Sequence, residues 1–168
     1  MFHSINHYSK LYSMTNKIIL LIAVLSYSII ASQPFMYILA LKQTQMNLSA
    51  NSYTEVRKLI DIAMRSNFKY VLYTAVLASF VLMLVNLKNP TGITFITATI
   101  ALVLLIADIL LTVKGSLPIN DVINSWSADA IPIDWSVYRD KWFRIFYYRQ
   151  IAGITGFLSL LIGVVFGK

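Results

Sequence analysis

Five residues, Trp135, Arg139, Trp142, Phe146 and Arg149, follow one another at steps of four, three, four and three. On a helix that spacing draws one stripe in which flat aromatic rings are mixed with guanidinium groups. Such a stripe can hold a planar, partly anionic ligand, because Arg and Trp stack on rings and Arg grips oxyanions through several donors. The plainer reading is an interfacial aromatic belt with positive anchors. Asp108 is the second costly choice, since it lies inside a long apolar run. An ionised Asp within a membrane span costs about 2.5–3.5 kcal/mol, so it requires a partner or water. Arg149 is the nearest cation in sequence-derived depth, and Lys114 competes with it. Gln33 lies about two turns from the same end of the first apolar run, so one polar chamber would serve all these groups.

Much chemistry is excluded by residue type. There is no cysteine, hence no disulfide, zinc–thiolate site or thiol redox couple. A bis-His haem needs histidines within the spans, and the only two are His3 and His7. Glu55 is the only glutamate, too few for a di-iron carboxylate bundle. No glycine-rich nucleotide loop, nucleophile elbow or catalytic triad is visible. No metal site follows, and proton chemistry would fall to Asp108, a tyrosine or a diffusible cofactor.

The elements that must position these residues are membrane helices. Of 168 residues, 58% are hydrophobic and 12% charged, against about 25% charged in soluble domains. Mean hydropathy is +0.69. The net charge of +7 is no nucleic-acid footprint, because Lys and Arg flank the apolar runs instead of forming one basic surface. The expected organisation is a flexible tail over 1–17, with Met14 a second candidate start, followed by one domain over 18–168. Its spans fall at about 18–41, 68–87, 93–113 and 147–166. The first run is too long for a cleaved signal core of roughly 7–15 residues. Pro34 should kink it.

Residues 42–67 read as a polar connection holding an amphipathic helix. Ser52 and Glu55 have capping-box spacing, and Val56, Leu59, Ile60, Ala63 and Met64 form its apolar face. Arg57, Lys58, Asp61 and Arg65 fall on or near the other side, as on a surface helix. Lys88–Gly92 is a tight turn. Residues 114–134 form a second excursion, irregular at Pro118 and Pro132, before Asp134 caps a helix that runs on into the fourth span. Thr97, Ala101, Asp108 and Thr112 share one face of the third span, which should look inward. Ala152, Gly156, Ser159, Gly163 and Gly167 form a small-residue face suited to close helix contact or to a homo-oligomer. The fold class is an all-α membrane protein, an antiparallel four-helix bundle capped on one side by two amphipathic segments.

Taken together, these features resemble the anthrone oxygenase-like family of small four-helix membrane proteins. The resemblance covers most of residues 17–166. It rests on the helix Tyr53–Asn67 after the first span, on Pro118-Ile119-Asn120 after the third, and on Trp135, Arg139, Trp142 and Arg149 leading into the fourth. Asn120, Arg139, Trp142 and Arg149 match the family's pattern. Phe146 departs from it, where a polar residue, often asparagine, is expected. The resemblance implies cofactor-independent oxygenation of a polycyclic aromatic compound, anthrone to anthraquinone. A base removes an acidic C–H and the carbanion reacts with dioxygen. Asp108 would be the base, Arg139 and Arg149 would stabilise the enolate oxygen, and Gln33, Asn120, Trp135, Trp142 and Phe146 would line the substrate.

Three functions follow as expectations. One is an enzyme or binder acting on a flat, apolar, weakly acidic compound such as a polyketide or quinone. Another is a proton-coupled transporter of lipophilic ions using Asp108, which would need an oligomer built on the small-residue face. The third is a non-catalytic membrane partner subunit. Ten of the fourteen Lys and Arg residues lie on the side of the long connections, which the positive-inside rule places in the cytoplasm with both termini opposite.

Overall fold

The computed structural model describes residues 2–167, with side chains described from Met14 onward. Six helices appear: α1 (Phe2–Met36), α2 (Lys42–Met46), α3 (Ala50–Val85), α4 (Ile93–Leu111), α5 (Leu117–Ser125) and α6 (Trp135–Phe166). π-helical turns at Tyr37–Leu41 and Thr112–Ser116 join α1 to α2 and α4 to α5, so the chain forms four long rods. Each rod is long and apolar enough to cross a membrane. Helices α3 and α6 each pack on both α1 and α4, which closes an antiparallel four-helix bundle.

The rods outrun their apolar segments. No Pro or Gly interrupts residues 50–85, so the expected amphipathic helix and the second span are one helix, α3. Ser49, not the Ser52–Glu55 pair, caps it, its hydroxyl accepting from the Ser52 N–H at 3.3 Å. Pro118 lies in the first turn of α5, where a missing N–H costs little, and the third rod continues through it. Asp134 occupies the N-cap position of α6 without capping through its side chain. The first helix begins at Phe2, within the stretch expected as a tail. His3 and His7 lie outside the residues whose side chains are described.

Two cores stack along the bundle. The first, inside the apolar segments, is built from Ala23, Tyr27, Ile30, Ala75, Ala78, Leu82, Ala98, Ala101, Leu105 and Leu160. The small-residue face of α6 is buried within this bundle. Gly156 gives room to the Tyr27 ring, and a Cβ there would overlap its hydroxyl. That hydroxyl donates to the Ala101 carbonyl at 3.2 Å, crossing the bundle from α1 to α4. Ser159 donates to the Thr97 carbonyl at 3.0 Å. Tight packing within one chain therefore accounts for the small residues. At the terminal end, the amides of Asn16 and Asn86 exchange hydrogen bonds between α1 and α3.

The second core, beneath the long connections, is aromatic: Tyr37, Tyr53, Trp126, Trp142, Phe143 and Phe146, with Ile119 and Ile123. Trp142 stacks on Phe146 at 4.8 Å and 14°, and Phe146 meets Tyr37 at 4.5 Å. These rings hold the four rods apart where the functional groups collect.

Candidate functional site

Helix α4 carries Asp108 inward one turn before its end, and α6 carries Arg149 on the facing side. Arg149 Nε donates to Asp108 Oδ1 at 2.7 Å, and both side chains are largely buried. The π-helical turn that follows α4 brings Ser116 beneath the same guanidinium, whose Nη1 donates to Ser116 Oγ at 3.4 Å. A carboxylate in an apolar span thus has a cation and a hydroxyl beside it. Gln33 of α1 lines the same space.

A second charged group sits farther up α3, in a place the sequence pattern assigned to the surface. Arg57 is 3% exposed and Asp61 4% exposed, whereas Leu59 and Ile62 point outward at 61% and 66%. The helix is rotated relative to expectation: Arg57 and Asp61 turn to the bundle, Ile60 and Met64 are half-buried beside them, and Leu59 and Ala63 face outward. Asp61 Oδ1 accepts from Asn120 Nδ2 at 2.7 Å, and its Oδ2 accepts from Arg65 Nε and Asn124 Nδ2, each at 2.8 Å. Arg65 also pairs with the exposed Asp121 at 2.6 Å. Arg57 donates to the Tyr37 hydroxyl at 3.3 Å and to Asn120 Oδ1 at 3.2 Å. Its guanidinium lies 4.0 Å over the Trp142 ring. Gln45 donates to the same Tyr37 hydroxyl at 3.0 Å. The register of this face is readable in hindsight: stepping back from the buried Leu82, Ser79 and Ala75 at helical intervals arrives at Asp61 and Arg57.

Between the two charged groups lies a cavity of about 230 Å³, walled by α3 and by the α4–α5 rod. Its outer wall is apolar, with Ile60, Met64, Phe68 and Leu72 spaced four apart on α3. Ile109, Val113 and Leu117 face them. Its inner wall carries Arg57, Asp61, Asp108, Asn120, Trp142 and Arg149. Arg65 and Lys69 stand on its rim, both exposed.

The expected site residues therefore divide. Asp108, Arg149, Gln33, Asn120 and Trp142 share the cavity. Phe146 lines a small adjoining void with Asp108 and Arg149, and its main work is in the aromatic stack. Arg139 and Trp135 are not among the lining residues. Arg139 donates to the Met46 carbonyl at 3.1 Å, pairs with Asp140 at 2.9 Å and stacks on Trp135, which in turn packs on Tyr53. One stripe of α6 thus serves two purposes: its upper end ties down the α2–α3 link, and its lower end faces the cavity. Arg57, Asp61 and Ser116 are the members that pattern reading missed. Among the described residues no group of three or more His, Cys, Asp or Glu side chains is placed to hold a metal ion. No family model, curated protein or solved structure matches this chain.

Proposed function

We propose that this chain binds a flat, apolar, weakly acidic compound that reaches the cavity from the bilayer, and that Asp108 and Arg149 act on its polar end. The observation that carries this reading is the 2.7 Å Asp108–Arg149 pair facing a cavity with an apolar outer wall. A volume of about 230 Å³ falls just below the roughly 300–1,000 Å³ of ordinary ligand sites, which suits a small ring system better than a large cofactor. A carboxylate beside a guanidinium can accept a proton while the guanidinium holds the resulting oxyanion within one site. The oxygenase chemistry implied by the resemblance fits with one arginine, Arg149, since Arg139 is engaged with Met46 and Asp140.

The test is binding and turnover of anthrone in nanodiscs, followed by the appearance of anthraquinone. Arg149→Ala and Asp108→Asn should each lower binding or turnover at least tenfold in protein that still inserts. Unchanged behaviour in both variants removes the site. We also propose, from the bias of Lys and Arg toward the long connections, that those connections face the cytoplasm. A C-terminal reporter active only in the cytoplasm should then stay silent.

A further inference from the structure

The charges around the cavity do not balance. Arg149 has Asp108, and Arg65 has Asp61 and Asp121. Arg57, the most buried arginine among the described residues, has no carboxylate within ion-pair distance of its own. Its hydrogen-bond partners are the Tyr37 hydroxyl and the Asn120 amide oxygen, both neutral. Its Nε has no partner at all. The neighbouring Asp61 is engaged by Arg65, Asn120 and Asn124 and makes no contact with Arg57 within ion-pair distance. A guanidinium held away from water with no carboxylate in contact is costly, and a bound anion would relieve that cost.

Arg57 lines the same cavity as Asn120 and Trp142. It stands three turns up α3 from Phe68, at the end away from the membrane centre. On the rim, Lys69 adds a second cation without a carboxylate partner among the described residues, placed to draw anions toward the opening. Resting on the reading of this cavity as a ligand site, we infer that its ligand is a monoanionic amphiphile whose carboxylate or phenolate docks against Arg57. The apolar body lies along Ile60, Met64, Phe68 and Leu72, and its far end carries the second polar group, the one on which Asp108 and Arg149 act. The anion is carried on a ring system or on an acyl chain; both present the same head to Arg57.

The experiment uses the full chain in nanodiscs of zwitterionic lipid, with empty nanodiscs as the control for partition. Three fluorescent probes share one ring system: anthracene carboxylate, anthracene methanol and anthracenylmethyl trimethylammonium. Parinarate supplies the chain-borne carboxylate. The carboxylate should bind roughly tenfold or more tighter than the alcohol, with the ammonium weakest. Arg57→Gln should bring carboxylate and alcohol together, and Arg57→Lys should keep part of the difference. Preference for the ring carboxylate or for parinarate tells which body the anion is carried on, and either supports the inference. Alcohol binding as tight as carboxylate binding in the unaltered protein overturns it. So does a preference that survives in Arg57→Gln. In both cases the rings still bind, and the cavity remains a ligand site. If no probe binds beyond the empty-nanodisc control, the ligand site itself falls and the anion with it.

Discussion

The same four rods run through both halves of the molecule, yet they pack differently in each, and the described cavity lies where the two halves meet. In the membrane half the interior is mostly alanine, glycine and aliphatic side chains, and Tyr27 and Ser159 donate to the Ala101 and Thr97 carbonyls at close range. In the capping half the interior is tryptophan, tyrosine and phenylalanine, with long charged side chains reaching between helices. Side-chain size sets the spacing. Small residues let the helices close on one another, whereas rings and guanidinium groups prop them apart and leave a cavity. Polarity follows the same division, because the propped half can bring long donors to buried carboxylates.

The largest expected break in this contrast is Arg149→Ala. It leaves Asp108 buried without its cation, and removing one partner of a buried pair costs about 3–5 kcal/mol. Thermal unfolding in detergent should show the loss, and adding Asp108→Asn should recover much of it. If the double variant is no more stable than Arg149→Ala, the pair is not what holds α4 to α6. Next, Asp61→Ala strands the buried Asn120 donor, at about 1–3 kcal/mol, while Asn124 and Arg65 turn to water and Asp121. A surface residue would cost under about 0.5 kcal/mol, so this variant tests the rotated burial of α3 directly.

In the membrane half, Gly156→Ala forces a methyl group into the Tyr27 hydroxyl, and overpacking costs about 1–3 kcal/mol. The expected result is lower stability with the probe preference for carboxylate retained, since the change lies outside the cavity. The smallest effect belongs to Arg139→Gln. Its contacts with Met46, Asp140 and Trp135 lie outside the cavity, so ligand binding should move less than twofold whatever stability is lost. A tenfold loss of binding there would return Arg139 to the site.

These variants also mark what the amino-acid order made legible. The four spans and the Asp108–Arg149 pairing could be read because an ionisable group in hydrocarbon has few places to go. The small-residue face could be read as a contact face, though its partners proved to be Tyr27 and Thr97 of the same chain. Arg57 and Asp61 escaped because periodicity shows that a helix has two faces without showing which one is inside. In water the apolar face of residues 53–67 would turn inward. Beside a bilayer, Leu59 and Ile62 can face outward at little cost, and Arg57 and Asp61 take the interior while Arg65 stays exposed. Arg139 misled for a related reason. Its stripe is regular, but the stripe is longer than the cavity, so even spacing carried it past the end of the site.

The Asp108–Arg149 pair has a consequence for how the protein is made. The two residues are 41 positions apart, on separate rods, and the carboxylate leaves the ribosome first. An α4 that enters lipid ahead of α6 carries a lone acid into hydrocarbon, so its residence there is marginal until the last rod arrives. The C-terminal helix thus acts as a latch for the one before it, and a nascent chain arrested ahead of Arg149 should expose the third rod to degradation.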